Sequence, residues 1–286
     1  MCFCLCASVP LVAQIAPSRT WLVDQARRAA PSGPLASLMG GVEMYRGWFS
    51  HEEEQAWQLR THFVVEPYRW EGADSGLVWT TSLEFHQELT ANPRSDIGFS
   101  PRTARWEEQL LVHVAGADWS ARAGWFHRCK HDIDVGKIRT LILSGPTVAA
   151  MTAPIVSGGW TFRGAAGVEW FVVNDDYRLP GSPTTGLWSG MSGAAWVQAN
   201  ASLTLSQHLA LGGSYHLRLP WFTDRYGAPD DIVVPHDARA ELMLSIMSTV
   251  AVADVVISAE HIFDEVALVT ATPSTYLQVG LRFRPR

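Results

Sequence analysis

Hydrophobic and polar residues alternate with a period of two along most of the chain, which is the pattern of β-strands with two different faces. From Leu77 to Leu89, one face carries Leu77, Trp79, Thr81, Leu83, Phe85 and Leu89. The other face carries Val78, Thr80, Ser82, Glu84, His86 and Glu88. A strand of this length is rare in a soluble sandwich, whereas a tilted strand needs about 9–11 residues to cross a membrane.

The same alternation recurs along the chain and predicts an all-β fold, a closed transmembrane antiparallel up-and-down β-barrel of about twelve strands. The strands are expected near 36–48, 57–68, 76–89, 103–115, 117–128, 137–149, 159–173, 187–198, 203–219, 237–248, 251–263 and 274–284. An even count fits a closed bacterial barrel, which leaves no sheet edge exposed to lipid. The sixth strand contains Gly145-Pro146, which is expected to mark a bulge.

The lengths of the connections support the same topology. If both termini are periplasmic, the outward connections are the long ones, at 90–102, 129–136, 174–186, 220–236 and 264–273. Several periplasmic connections are short, namely Gly116, Ala199 to Ser202, and Thr249-Val250, with 150–158 as a long exception. Short periplasmic turns and long outer loops are typical of bacterial outer-membrane barrels, a class that this chain resembles over nearly its whole length.

Composition agrees with such a barrel. Only 17% of the residues are charged, yet the mean hydropathy of +0.03 is far too low for a bundle of membrane helices. The chain has 13 Trp, a residue that favours the membrane–water interface, although a Trp-rich soluble β-domain is the alternative. The formal net charge is −6 and no basic run occurs, which excludes nucleic acid as an expected partner.

The beginning of the chain predicts export. Residues Cys2 to Ala13 form a short apolar run, and we expect a signal peptide over 1–16, cut after Ala13 or Ala16. A periplasmic N-terminal segment (17–35) and the barrel (36–286) would follow. The resemblance to outer-membrane barrels implies a Gram-negative outer membrane, with its lipids, lipopolysaccharide and the barrel-assembly machinery as partners.

The predicted inward face carries charges of both signs. They are Glu43, Glu84, Glu88, Glu169, Glu241 and Glu260, with Arg60, Arg122, Arg163, Arg218, Arg239 and Arg282. Buried charges must be paired or solvated. Two interpretations follow, a structural network of ion pairs that fills the lumen, and a narrow porin-like pore lined by charge. Mixed signs argue against strong ion selectivity.

The densest cluster of reactive side chains runs from Trp125 to Asp134, at the outer end of the fifth strand. His127 and Cys129 are two residues apart and therefore share one face. Their parity matches Trp125, which places them on the lipid face, where polar groups are costly.

This His-x-Cys segment resembles the His-x-Ser of the outer-membrane phospholipase A and lipid A deacylase barrels, lipid hydrolases that act from the outer wall. The resemblance implies His127 as general base and Cys129 as nucleophile, since an adjacent base activates a thiol. No Asn is present between Asn92 and Asn174 to orient the His, so His131 or Asp132 would have to do so.

Two other interpretations of this segment stay open. It is a plain polar hairpin loop, or it binds a transition metal through His127, Cys129, His131, Asp132 and Asp134. Asp-rich outer segments also occur, at Asp175-Asp176, Asp224, Asp230, Asp231 and Asp237. Their carboxylates suit Ca²⁺ that bridges lipopolysaccharide phosphates, or they are simply solvated.

Overall fold

A computed structural model describes residues 32–49, 57–72, 75–92, 100–132, 139–178, 191–222, 236–263 and 274–285. These residues form strands and turns, and none of them belongs to a helix long and apolar enough to cross a membrane. The predicted signal peptide and most of the predicted N-terminal segment lie outside the described residues.

Fourteen strands make a single sheet. They are β1 (Gly33–Phe49), β2 (Trp57–Glu71), β3 (Val78–Asn92), β4 (Ser100–Ala115), β5 (Trp119–Asp132), β6 (Arg139–Thr152), β7 (Ile155–Ser157), β8 (Trp160–Trp170), β9 (Val173–Arg178), β10 (Met191–Thr204), β11 (Leu209–Phe222), β12 (Asp237–Met247), β13 (Ala251–Ile262) and β14 (Ser274–Pro285). The sheet closes because β1 pairs antiparallel with both β2 and β14.

Four of the fourteen segments combine into two interrupted strands. β6 and β7 both pair with β8, at Thr147–Met151 and Ile155–Ser157, so they form one line broken at Pro154. β8 and β9 both pair with β6 and form the next line. Counted this way the barrel has twelve antiparallel strands, which confirms the predicted fold class.

The region around Gly145 explains the break between β8 and β9. The β5–β6 register runs unbroken through Gly145 and Pro146, so the bulge predicted in the sixth strand lies in its partner instead. A Cβ on Gly145 would lie 1.8 Å from the Trp170 carbonyl oxygen, so only glycine allows this close approach. The ladder resumes where the Val172 amide donates to the Ser144 carbonyl at 3.0 Å.

Two predicted turns were wrong. The turn expected at Ala199 to Ser202 lies instead between Thr204 and Leu209, because the Ser206 hydroxyl accepts the amides of His208 and Leu209 at 3.2 and 3.1 Å. The long connection expected at 150–158 shrinks to Gly158-Gly159, whose φ angles of +58° and +84° suit a tight hairpin turn.

The two faces of the barrel differ as the alternation predicts. Outward side chains are large, apolar and exposed, as in β14, where Leu277, Val279, Leu281 and Phe283 are 41–50% exposed. The inward residues between them, Gln278 and Arg282, are fully buried. The core of this molecule is therefore a packed polar lumen. Small apolar clusters also lie inside it, and one of them comprises Phe126, Leu141, Leu143, Phe171, Met191 and Ala194.

The two ends of the barrel also differ. The start of β1 and the end of β14 lie at the same end of the barrel as the tight turns after β2, β4, β7, β10 and β12. The opposite end is formed by the strand ends that flank residues 50–56, 93–99, 133–138, 179–190, 223–235 and 264–273, and those residues lie outside the described ones. We call these the turn end and the loop end.

Candidate functional sites in the lumen and on the outer wall

Charged side chains inside the barrel form one unbroken chain of ion pairs. Its members, in order of contact, are Asp237, Arg218, Glu169, Arg128, Glu107, Arg105, Glu88, Arg60, Glu260, Arg239, Glu241, Arg282 and Glu43. Acidic and basic groups alternate at every step. Because every carboxylate meets a guanidinium, the cost of burying each charge is offset by its neighbours.

Some of these contacts join strands that are not neighbours in the sheet. Arg60 on β2 bonds Glu88 on β3 at 3.1 Å and Glu260 on β13 at 3.3 Å. Arg128 on β5 bonds Glu107 on β4 at 2.6 Å and Glu169 on β8 at 3.1 Å. The long arginine side chains thus join strands two or three positions apart around the barrel, and all of these side chains are buried in the lumen.

The twelve charged residues predicted to face inward all do so, with Arg163 half-buried and the other eleven buried. Separate ion pairs lie nearer the turn end, where Arg284 bonds Asp254 at 3.1 Å and Arg122 lies 3.4 Å from Glu84. A small cavity of about 20 Å³ beside Arg60 and Glu88 is large enough for one water molecule.

One of the Asp residues expected in a loop belongs to this network. Asp237 is the first residue of β12 and is buried; its carboxylate accepts Arg218 at 2.9 Å and the Phe263 amide at 2.7 Å. It is therefore unable to serve as a solvated Ca²⁺ ligand. Asp224, Asp230 and Asp231 lie outside the described residues. Asp175 and Asp176 lie in β9, and Ca²⁺ binding there stays a prediction.

On the outer wall, β5 presents His127, Cys129 and His131 on the same face as Trp125. This is the face predicted from parity. Cys129 is paired with Trp106 on β4 and Ile142 on β6 and is only 8% exposed. Its thiol therefore lies among large apolar side chains, which is a poor setting for a thiolate.

His127 has polar neighbours on both sides. Its register partner on β4 is the exposed Glu108, and its partner on β6 is Ser144. Directly opposed side chains have Cβ atoms about 4.5–5.5 Å apart. Glu108, His127 and Ser144 thus form a row across three strands, which we call the outer polar row. It combines a carboxylate, an imidazole and a hydroxyl.

In this structure the Ser144 hydroxyl is already engaged. It donates to the Phe126 carbonyl oxygen at 2.8 Å and accepts from the Trp125 indole at 2.8 Å. Within the described residues, no hydrogen bond joins His127 to Cys129, Glu108 or Ser144. The row therefore has the residues of an acid–base–nucleophile set without its hydrogen bonds.

The other predicted members do not join His127. His131 shares a hydrogen bond of 3.1 Å with Thr140, and its ring lies 4.9 Å from the Trp106 ring. Asp132 ends β5, but its side chain, like Asp134, lies outside what the structure describes. In the described ranges no three His, Cys, Asp or Glu residues group to hold a metal.

Sequence reasoning missed Glu108 and Ser144. The available signal was a single carboxylate at an outward position of β4, between Trp106 and Leu110. Placing it opposite His127 requires the exact β4–β5 register, which a shift of one residue would change entirely.

No protein-family model matches the chain, and no curated protein matches it. Solved structures that it resembles are outer-membrane barrels. Outer membrane phospholipase A from Escherichia coli aligns with a TM-score of 0.46 and 12% identity over 85% of this chain and 89% of that one. NanC porin aligns with 0.43 and 9% over 85% and 98%. The translocator domain of autotransporter NalP from Neisseria meningitidis aligns with 0.40 and 8%, covering 87% of each.

Proposed function

We propose that this chain is a bacterial outer-membrane β-barrel whose lumen is closed by ion pairs, and that it has a structural role rather than that of an open porin. The observation that carries this proposal is the unbroken chain from Asp237 to Glu43, whose members are all buried and which also joins non-adjacent strands. An open channel lined by charge would leave those arginines facing water instead of one another.

The membrane location is supported by the outer surface. Exposed apolar side chains cover it, including Leu242 at 65% and Leu110 at 58%. Such a continuous apolar band is unfavourable in water and typical of a wall that faces lipid. Six exposed Trp residues lie on that wall in the described strands, at Trp48, Trp70, Trp119, Trp125, Trp160 and Trp170, as interfacial aromatics do.

Planar-bilayer recording tests the closed lumen. At neutral pH the refolded protein is expected to give no steady conductance. A variant that shortens two arginines joining non-adjacent strands, Arg60→Ala with Arg128→Ala, is expected to conduct. Its folded state is checked by a gel shift that disappears on heating. Steady channels from the wild-type protein would overturn the proposal.

A second candidate function is lipid ester hydrolysis at the outer wall, because the outer polar row lies on the face that would meet lipid. The predicted nucleophile is Cys129, and the Ser144 hydroxyl of the outer polar row is the alternative. The nucleophile attacks the ester carbonyl while its proton passes to His127. His127 returns that proton to the leaving alcohol, and water then releases the fatty acid from the acyl-enzyme. Glu108 is placed to orient His127.

Fatty-acid release from phospholipid and lipid A in mixed micelles tests this candidate. His127→Ala is expected to reduce the rate about 100-fold or more. Cys129→Ala and Ser144→Ala distinguish the two nucleophiles, since only one of them should abolish release. Thr140→Ala is the matched control, because Thr140 contacts His131 and not His127. Equal rates in the wild type and in His127→Ala would remove this candidate.

A further inference from the structure

We infer that Arg46, together with Trp48 and Trp57, forms a binding site on the outer wall for the phosphate group of a lipid. This inference rests on the proposed membrane location, and it depends neither on the closed lumen nor on lipid hydrolysis. It assigns a role to the positive charge that the outer wall carries near the loop end of β1.

Arg46 is an exception to the separation of charge between the two faces of the barrel. On β1 it shares its face with Met44 and Trp48, which are 50% and 56% exposed, so its side chain points outward. Every other arginine or lysine whose side chain the structure describes is buried or half-buried on the inner face. A positive charge on a lipid-facing wall is costly, and such a position is therefore a candidate for function.

The side chains around Arg46 are aromatic or apolar. Its guanidinium carbon lies 5.8 Å from the Trp48 ring centroid and 5.6 Å from the ring centroid of Trp57, its register partner on β2. Its register partner on β14 is Val279. Among the ion pairs of the described residues, none includes Arg46. The two cation–π contacts thus orient the guanidinium without neutralising its charge.

The free edge of this guanidinium matches an anion with two oxygens. In the described ranges, the one hydrogen bond that Arg46 donates runs from Nη1 to the Gly47 carbonyl oxygen at 3.3 Å. The edge formed by Nε and Nη2 therefore keeps its N–H donors for a ligand. In the lumen, the same edge of Arg60 donates to the Glu88 carboxylate at 3.2 and 3.1 Å. On the outer wall a phosphate would take the place of that carboxylate.

The position along the strand favours a phosphate that belongs to a lipid. Arg46 lies three residues before Phe49, the last residue of β1, which is about 10 Å along the strand. Trp57 begins β2 at this same end. Indole rings on a barrel wall lie at the level of the lipid headgroups. A long arginine side chain reaches that level while its stem stays among apolar side chains.

Native mass spectrometry of the full chain, refolded in detergent micelles and titrated with lipid at pH 7.5, tests this site. The probes are dioleoyl phosphatidic acid and dioleoylglycerol, which differ only in the phosphate. The wild type is expected to retain phosphatidic acid in preference to dioleoylglycerol. Arg46→Gln should weaken the binding of phosphatidic acid about 10-fold or more, because a charge-assisted bidentate contact is lost.

Two further variants control for charge and for shape. Arg163→Gln removes the same charge from the inner face, so it should bind phosphatidic acid like the wild type. Arg46→Lys keeps the charge but lacks the planar fork, so its affinity should lie between those of the wild type and Arg46→Gln. Should Arg46→Gln fail to refold, wild-type affinity in Arg46→Lys would overturn the inference.

The other outcomes are equally distinct. Equal affinity in the wild type and Arg46→Gln overturns the site, and so does an equal loss in Arg163→Gln, which would make net charge responsible. Displacement of phosphatidic acid by an equal concentration of inorganic phosphate would identify a site for dissolved anions and overturn the lipid assignment. A wild type that stays folded and soluble without detergent overturns the membrane location itself. A detergent-bound wild type that retains both lipids equally overturns only the phosphate site.

Discussion

Along β14, neighbouring residues belong to opposite environments. Arg282 and Arg284 are buried inside the barrel, where they bond carboxylates on β1, β12 and β13. Leu281 and Phe283 are 42% and 49% exposed on the outside. A soluble barrel would place apolar side chains inside and charged ones outside. This inversion indicates that ion pairs between specific residues stabilise the lumen, whereas the outer wall is stable only in contact with an apolar medium such as lipid.

The largest effect is expected from breaking a lumen pair. Arg284 and Asp254 are both buried and are joined at 3.1 Å. Arg284→Met leaves the Asp254 charge without its partner, which should cost about 3–5 kcal/mol of unfolding free energy. Urea unfolding of the protein in lipid vesicles, followed by gel migration, measures it.

The matched control removes both charges. Arg284→Met combined with Asp254→Asn should recover most of the loss, because an absent pair costs far less than half a pair. If the double variant is as unstable as the single one, packing of the Arg284 stem matters more than its charge, and the contrast drawn between the lumen and the wall weakens.

The next effect tests the outer wall. Leu242 lies at the middle of β12 and is 65% exposed. Leu242→Arg should cost about 2–4 kcal/mol of stability in vesicles, since a charge at the bilayer midplane loses its hydration. Leu242→Ala is the control and should cost less. An arginine that leaves stability unchanged would show that this face meets water.

Much of this fold could be predicted from the sequence, because alternation reports which face each residue takes. Arg282 and Glu241 were assigned to the lumen and are buried there, and His127 and Cys129 were assigned to the outside and lie there. Alternation does not report where along the chain one strand ends and the next begins. Leu203, Leu205 and Leu209 have the same parity, so the hairpin turn between them left no trace in the pattern.

The outer polar row was hidden for the same reason. Glu108 and Ser144 lie far from His127 in sequence and meet it only through the registers of two hairpins. The ion-pair chain was predicted as one of two alternatives, since charge count alone cannot say which arginine reaches which carboxylate. Asp237 was grouped with the Asp-rich outer segments because it closely follows them in sequence, and its inward place at the start of β12 becomes clear only with its partner Arg218.

The smallest effect concerns a polar contact on the apolar wall, where the contrast between the two faces is weakest. The Trp125 indole donates to the Ser144 hydroxyl, which in turn donates to the Phe126 carbonyl oxygen. Trp125→Phe should lose about 0.5–1.5 kcal/mol of unfolding free energy beyond the loss of ring area. A double-mutant cycle with Ser144→Ala isolates that coupling.

A coupling near zero would mean that lipid headgroups or water satisfy Ser144 as well as the indole does. The hydroxyl would then be available to His127 without loss of stability, so the same measurement also sets how costly it is to assemble the outer polar row.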